Sequence, residues 1–154
     1  PQTYEQRLAN EICPLIKRSR VTLDLHSTHC PGDVPFAFCD YPDKYNQTLI
    51  NALDVEYVLE GWPEIYGRQQ QITDNSTEHC AHAYGKTATT LECGYHKAPE
   101  AAELAYRAIV GTLAAFGMTD GELPFSCRKQ RIRMESFVIK EREGILCRAY
   151  KHLD

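Results

Sequence analysis

Two short runs hold the residues best suited to chemistry: Leu23-Asp24-Leu25-His26-Ser27-Thr28 and Thr90-Leu91-Glu92-Cys93-Gly94. Each is apolar and β-branched, and each presents a side chain that can handle a metal ion or a proton. An imidazole at the end of a buried strand suits zinc. A carboxylate in so apolar a run is costly to bury unless it is paired or used, and its natural use is as a general base. His26 and Glu92 together therefore point to metal-assisted hydrolysis, with the carboxylate taking a proton from water and returning it to a leaving amine. One histidine does not hold a catalytic zinc, for which three protein ligands are usual.

Strand alternation puts Asp24 on the same side as His26 and opposite Leu23 and Leu25. Asp24 can then hold the imidazole from behind, as carboxylates beside metal-bound histidines do. The plainer alternatives are that Asp24 and His26 merely cap a strand end, and that Glu92 forms a structural ion pair with Lys86 or Arg107. His26 and His29 are three apart, but a strand-to-loop setting does not bring both rings to one metal. His79 and His82, also three apart, fall on a short helix. They are either two polar positions on an exposed face or partners of His26 in a different metal site. Cys93 is a poor nucleophile, because a neighbouring glutamate raises a thiol's pKa. The chain has no Gly-x-Ser-x-Gly elbow, phosphate-binding loop or dinucleotide fingerprint.

The elements that must position these residues follow from periodicity and caps. A helix is expected over 4–17, with Leu8, Ile12, Leu15 and Ile16 on one stripe and Thr3 and Gln6 at capping-box spacing. Strands are expected over 20–25, 36–39, 55–59 and 87–93, the last being the strongest. Helices are expected over 45–53 (Leu49, Ile50 and Leu53 inward), over 75–84 (Asn75 and Glu78 as a capping box, Gly85 as stop) and over 99–116. The last has an apolar stripe that includes Leu104, Ala108 and Ile109, Pro99 at its start and Gly117 at its end. Trp62-Pro63 is expected to break the pattern, and the polar, Gln-rich segment 67–75 to be an exposed loop. After a linker at 121–124 the chain turns basic and strand-like, over 131–138 and 145–150. Alternating strands and helices imply an α/β layer structure with a partly parallel sheet.

The 154 residues suffice for one domain with a real core, and a net charge of −4 recommends no nucleic-acid partner. No apolar run approaches the ~20 residues needed to span a bilayer, so no membrane partner is expected. No secretory signal is recognisable. The seven cysteines are odd in number and form no Cys-x-x-Cys pair. Reduced thiols in a cytoplasmic protein, many packed as small hydrophobes, are the simpler reading. Sequons at Asn46 and Asn75 then carry no meaning.

Tyr4-Glu5-x-Arg7 opening a helix, the Asp24-Leu25-His26 run, and Thr90-Leu91-Glu92-Cys93-Gly94 followed by an Ala-rich helix resemble the succinylglutamate desuccinylase/aspartoacylase family. The resemblance runs over about 4–117. It implies a zinc-carboxypeptidase-like α/β fold, a mixed sheet flanked by helices. Residues 1–120 would be part of the catalytic domain, and 121–154 a linker and the start of a small C-terminal β domain. It further implies a zinc-dependent deacylase of a small N-acylated amino acid or related compound, with His26 as a zinc ligand and Glu92 as the group that activates water. The family's His-x-x-Glu pair of ligands and its Asp-Leu-Asn-Arg segment are absent from this sequence. The chain, opening on Pro1 rather than Met, is therefore expected to be an incomplete, inactive piece of a longer enzyme, with self-association through the apolar surface that truncation exposes. Arg68 is the one candidate for holding a substrate carboxylate. The alternative is a non-catalytic binding domain that keeps the fold without the metal site.

Overall fold

The Thr-rich run becomes β4, Thr87–Tyr95, and most of the fold is organised around it. The computed structural model describes residues 3–68, 76–120, 128–135 and 151–152, with main chain alone for 66–68 and 151–152. β1, Val21–Thr28, pairs with β4 in parallel, and β2, Phe36–Phe38, pairs with its other edge antiparallel. β3, Tyr57–Glu60, lies parallel to β2, and β5, Gln130–Arg133, parallel to β3. A two-residue β6, Lys151–His152, closes the far side antiparallel. The order β1-β4-β2-β3-β5-β6 is a mixed sheet.

Alternation along β4 assigns its residues to two layers. Leu91 and Cys93 face a core shared with Ala37, Val58, Ile50 and Leu53, closed by Ala101, Leu104 and Ala108. The last five belong to α2, Lys44–Ala52 with its C-cap Leu53, and α5, Pro99–Ala115. Leu23 and Leu25 of β1 pack on the same core. On the other face α4, Thr77–Ala83, lies against β4 and β1, and α1, Tyr4–Arg18, lies against α4. Ile16, Ala81 and Ala88 form the buried cluster there, with Cys80 packed against it.

The N-terminal capping box forms as the spacing predicts: Gln6 N–H donates to Thr3 Oγ1 at 3.3 Å and Thr3 N–H to Gln6 Oε1 at 3.0 Å. Other details differ. Of the α1 stripe only Ile16 is buried, while Leu8, Ile12 and Leu15 are exposed, because among the described residues α1 packs mainly on the short α4. Ile109 of α5 is also exposed, for the stripe is wider than the surface it covers. Trp62-Pro63 opens α3, Trp62–Arg68, rather than ending structure; proline is tolerated in a first helical turn, whose N–H groups have no partner within the helix. Ser76, not Asn75, caps α4 by accepting from His79 N–H at 3.1 Å. Glu78, expected to complete that box, instead turns into the core and accepts the Thr90 N–H at 2.7 Å.

Asn46 is 1 % exposed, so its sequon is unreachable in the folded chain. Cys39 and Cys93 are buried free thiols, as their packing as small hydrophobes requires. Asn75, Cys127, Cys147, residues 69–75 of the expected loop and the expected strand at 145–150 lie outside the described residues. Most of 121–154 does too, and within it β5 extends the main sheet. No helix among the described residues is long and apolar enough to cross a membrane.

Candidate active site

His26 and Glu92 occupy matched positions on neighbouring parallel strands, and Asp24 stands opposite Thr90 one step back. Period-2 alternation sends Asp24, His26 and Glu92 to the α4 side, away from Leu23, Leu25 and Leu91. The imidazole lies between two carboxylates. Asp24 Oδ1 is 3.2 Å from His26 Nε2, and Glu92 Oε1 is 3.6 Å from His26 Nδ1. The first is within hydrogen-bond reach and the second is an electrostatic contact. The His26 side chain is 53 % exposed, against 25 % for Asp24 and 17 % for Glu92. The ring therefore sits at the mouth of the site and the carboxylates at its walls.

Asp24 is itself held. Thr77, at the start of α4, donates its hydroxyl to Asp24 Oδ2 at 2.7 Å. Glu92 Oε2 is buried with no hydrogen-bond partner among the described residues. Burial pushes the Glu92 carboxyl above the usual range; His26 pulls it back, and Asp24 and Asp33 push it further up. Asp33 belongs to the Pro31-Gly32-Asp33 turn, which reaches the end of β4 because of Gly94. That glycine has φ +86, and a Cβ there would meet Asp33 O at 3.1 Å and Pro35 Cγ at 3.5 Å. Gly94→Ala should accordingly cost about 1–3 kcal/mol through backbone strain and lift the Asp33 turn from β4. The urea midpoint measures this, and an unchanged midpoint would rule out the tight approach.

Arg107 does not serve Glu92. It pairs with Asp54 at 3.4 Å, which removes Arg107, though not Lys86, from the ion-pair alternative for Glu92. His79 and His82 gather on Tyr41 rather than on His26. The Tyr41 hydroxyl is 3.0 Å from His79 Nδ1, and the Tyr41 ring stacks on His82 at 4.1 Å between centroids. Cys93 is buried, and burial, then Glu92, pushes its thiol up, which disfavours a nucleophile. The Arg68 side chain lies outside the described residues. Three features near the site escaped the sequence reading: Thr77 behind Asp24, Asp33 beside Glu92, and Ser27 Oγ paired with His96 Nδ1 at 2.8 Å. Each joins distant segments, and no local pattern marks it.

The donor chemistry fits one corner of a zinc site. His26 offers an imidazole nitrogen with a carboxylate on the opposite ring nitrogen, the usual setting of a metal-bound histidine. Among the described residues no group of three or more His, Cys, Asp or Glu is placed to hold a metal ion. A zinc held by His26 therefore needs further ligands.

Comparison with solved structures places the fold. A succinylglutamate desuccinylase/aspartoacylase from Rhodobacter sphaeroides superposes with a TM-score of 0.66 at 15 % identity, over 87 % of this chain and 41 % of that one. The ectoine utilization protein EutE (DoeB) from Ruegeria pomeroyi gives 0.64 at 19 %, over 86 % and 43 %. The succinylglutamate desuccinylase from Chromobacterium violaceum gives 0.62 at 13 %, over 92 % and 49 %. The chain has the succinylglutamate desuccinylase/aspartoacylase fold. This is the zinc-carboxypeptidase-like mixed sheet flanked by helices that the resemblance implies. No family model matches the sequence, and no curated protein does. The chain spans less than half the length of each of these desuccinylase/aspartoacylase-fold structures.

Proposed function

We propose that the protein is a zinc-dependent hydrolase that cleaves the amide bond of a small N-acylated amino acid or related compound, and that residues 1–154 supply part of its active site. The observation that carries this reading is the His26 imidazole held between Asp24 and Glu92 across two parallel strands of a desuccinylase/aspartoacylase fold. His26 is the zinc ligand this chain contributes. Zinc, when bound, supplies Lewis-acid polarisation of the acyl carbonyl.

The chain's own residues do the rest. Thr77 fixes Asp24, and Asp24 holds His26 Nε2, which leaves Nδ1 turned towards Glu92. Glu92 takes a proton from the attacking water at its carboxylate and delivers it to the departing nitrogen. Its burial favours that exchange, since a carboxylate kept from bulk water holds a proton more readily. The remaining zinc ligands, and the group that recognises the substrate carboxylate, come from outside the described residues; Arg68 is the candidate within this chain. The partner is a small molecule, and the compartment is the cytoplasm.

A second reading is a binding domain that keeps the fold without catalysis. Metal analysis of the whole protein separates the two. The hydrolase reading expects about one zinc per chain, lost with the deacylase activity in His26→Ala. A zinc-free protein whose coding sequence also lacks His-x-x-Glu would overturn the hydrolase reading.

A further inference from the structure

Cys13 of α1 and Cys80 of α4 are 67 positions apart in sequence, yet their sulfurs lie 3.2 Å apart. Both are free and half-buried, unlike the exposed Cys30 and the buried Cys39 and Cys93. They sit where α1 meets α4, with Cys80 packed on the cluster of Ile16, Ala81 and Ala88. A disulfide bond is about 2.05 Å long, so closure asks the sulfurs to approach by roughly 1 Å. Nothing in the proposed hydrolysis uses either thiol.

We infer that Cys13 and Cys80 form a redox modification site, a dithiol that a low-molecular-weight disulfide such as oxidised glutathione converts to a disulfide stapling α1 to α4. The steps balance. The Cys13 thiolate attacks one sulfur of the oxidant, forming a mixed disulfide and releasing one small thiol. Cys80, deprotonated, attacks the Cys13 sulfur of that mixed disulfide, which forms the protein disulfide and releases the second small thiol. Two protein thiols are oxidised and one small disulfide is reduced to two thiols, which take up the two protons. Burial and the neighbouring Cys13 push the Cys80 thiol up to about 11. Cys80 is thus suited to the second, intramolecular attack, where proximity replaces thiolate abundance. The staple fixes α4, the helix whose Thr77 braces Asp24. The inference stands whether or not the protein binds zinc.

The test equilibrates the purified protein in buffers of reduced and oxidised glutathione, blocks free thiols, and maps cysteine-containing peptides by mass spectrometry. A peptide pair joined through Cys13 and Cys80 should dominate over every other pairing. The melting temperature should rise by roughly 10 °C on oxidation, because the bond closes a long loop of the unfolded chain. Cys13→Ser and Cys80→Ser should each abolish both effects. The inference is overturned if both cysteines stay as thiols, or stop at the mixed disulfide, at a glutathione ratio that modifies the exposed Cys30. The peptide map is read on the unsubstituted protein, so it decides the question even if a serine variant folds poorly.

Discussion

On the proposed deacylase mechanism, Glu92→Gln should lower the turnover of N-acyl amide hydrolysis by about 10²–10⁴-fold, the usual worth of a positioned general base. Zinc content should stay the same. The substitution keeps the size of the side chain and removes only its capacity to take a proton. It should disturb the structure little: the Glu92 contact with His26 is a 3.6 Å electrostatic one, and Oε2 has no hydrogen-bond partner among the described residues. The measurement is kcat and KM on an N-acyl amino acid, with metal analysis of the same sample. A fall in kcat at constant metal content identifies proton transfer. A variant as active as the parent protein would remove Glu92 from the mechanism, and a zinc-free variant would make it a ligand instead. His26→Ala should give the opposite signature, with metal and activity lost together.

Asn46→Ala should destabilise the fold by about 2–4 kcal/mol, a large share of a domain's total stability. The Asn46 amide is a buried junction of three segments. Its Nδ2 donates to Ala88 O at 3.0 Å and to Thr89 Oγ1 at 2.9 Å, and its Oδ1 accepts from Cys39 Sγ at 2.9 Å. The substitution leaves the Ala88 carbonyl, the Thr89 hydroxyl and the Cys39 thiol to find new partners, and opens a cavity between α2 and β4. Buried polar groups that lose partners far from water bear nearly the full desolvation cost. The helix cap should survive, because Asp43 Oδ1 accepts the Asn46 main-chain N–H at 2.7 Å, which alanine keeps. Urea unfolding should show a lower midpoint at unchanged slope. A loss below about 1 kcal/mol would mean that water takes over these partners and that the junction is not structural.

The two residues at the centre of the proposed chemistry, His26 and Glu92, were legible before any coordinates. Each stands out locally as an ionisable side chain in a short apolar run. The same holds for the Thr3–Gln6 capping box and for the long helix between Pro99 and Gly117, because caps and helical stripes depend on neighbours within a few positions. What these patterns could not say is which strand lies beside which. His26 and Glu92 meet because β1 and β4 pair in parallel register across 66 positions, 92 minus 26, and such long-range pairing leaves no local trace. For the same reason Thr77 behind Asp24, Asp33 beside Glu92, the Asn46 junction and the Cys13–Cys80 contact emerged only when distant segments packed together. Tertiary packing also overruled local reading where the two conflicted. The α1 stripe is amphipathic on its own terms, yet most of it stays exposed, since a stripe specifies a face to cover and not the surface that covers it. Glu78 left its expected cap to meet the Thr90 N–H, because a buried main-chain donor must be paired, whereas a helix N-terminus can be served by its neighbour Ser76.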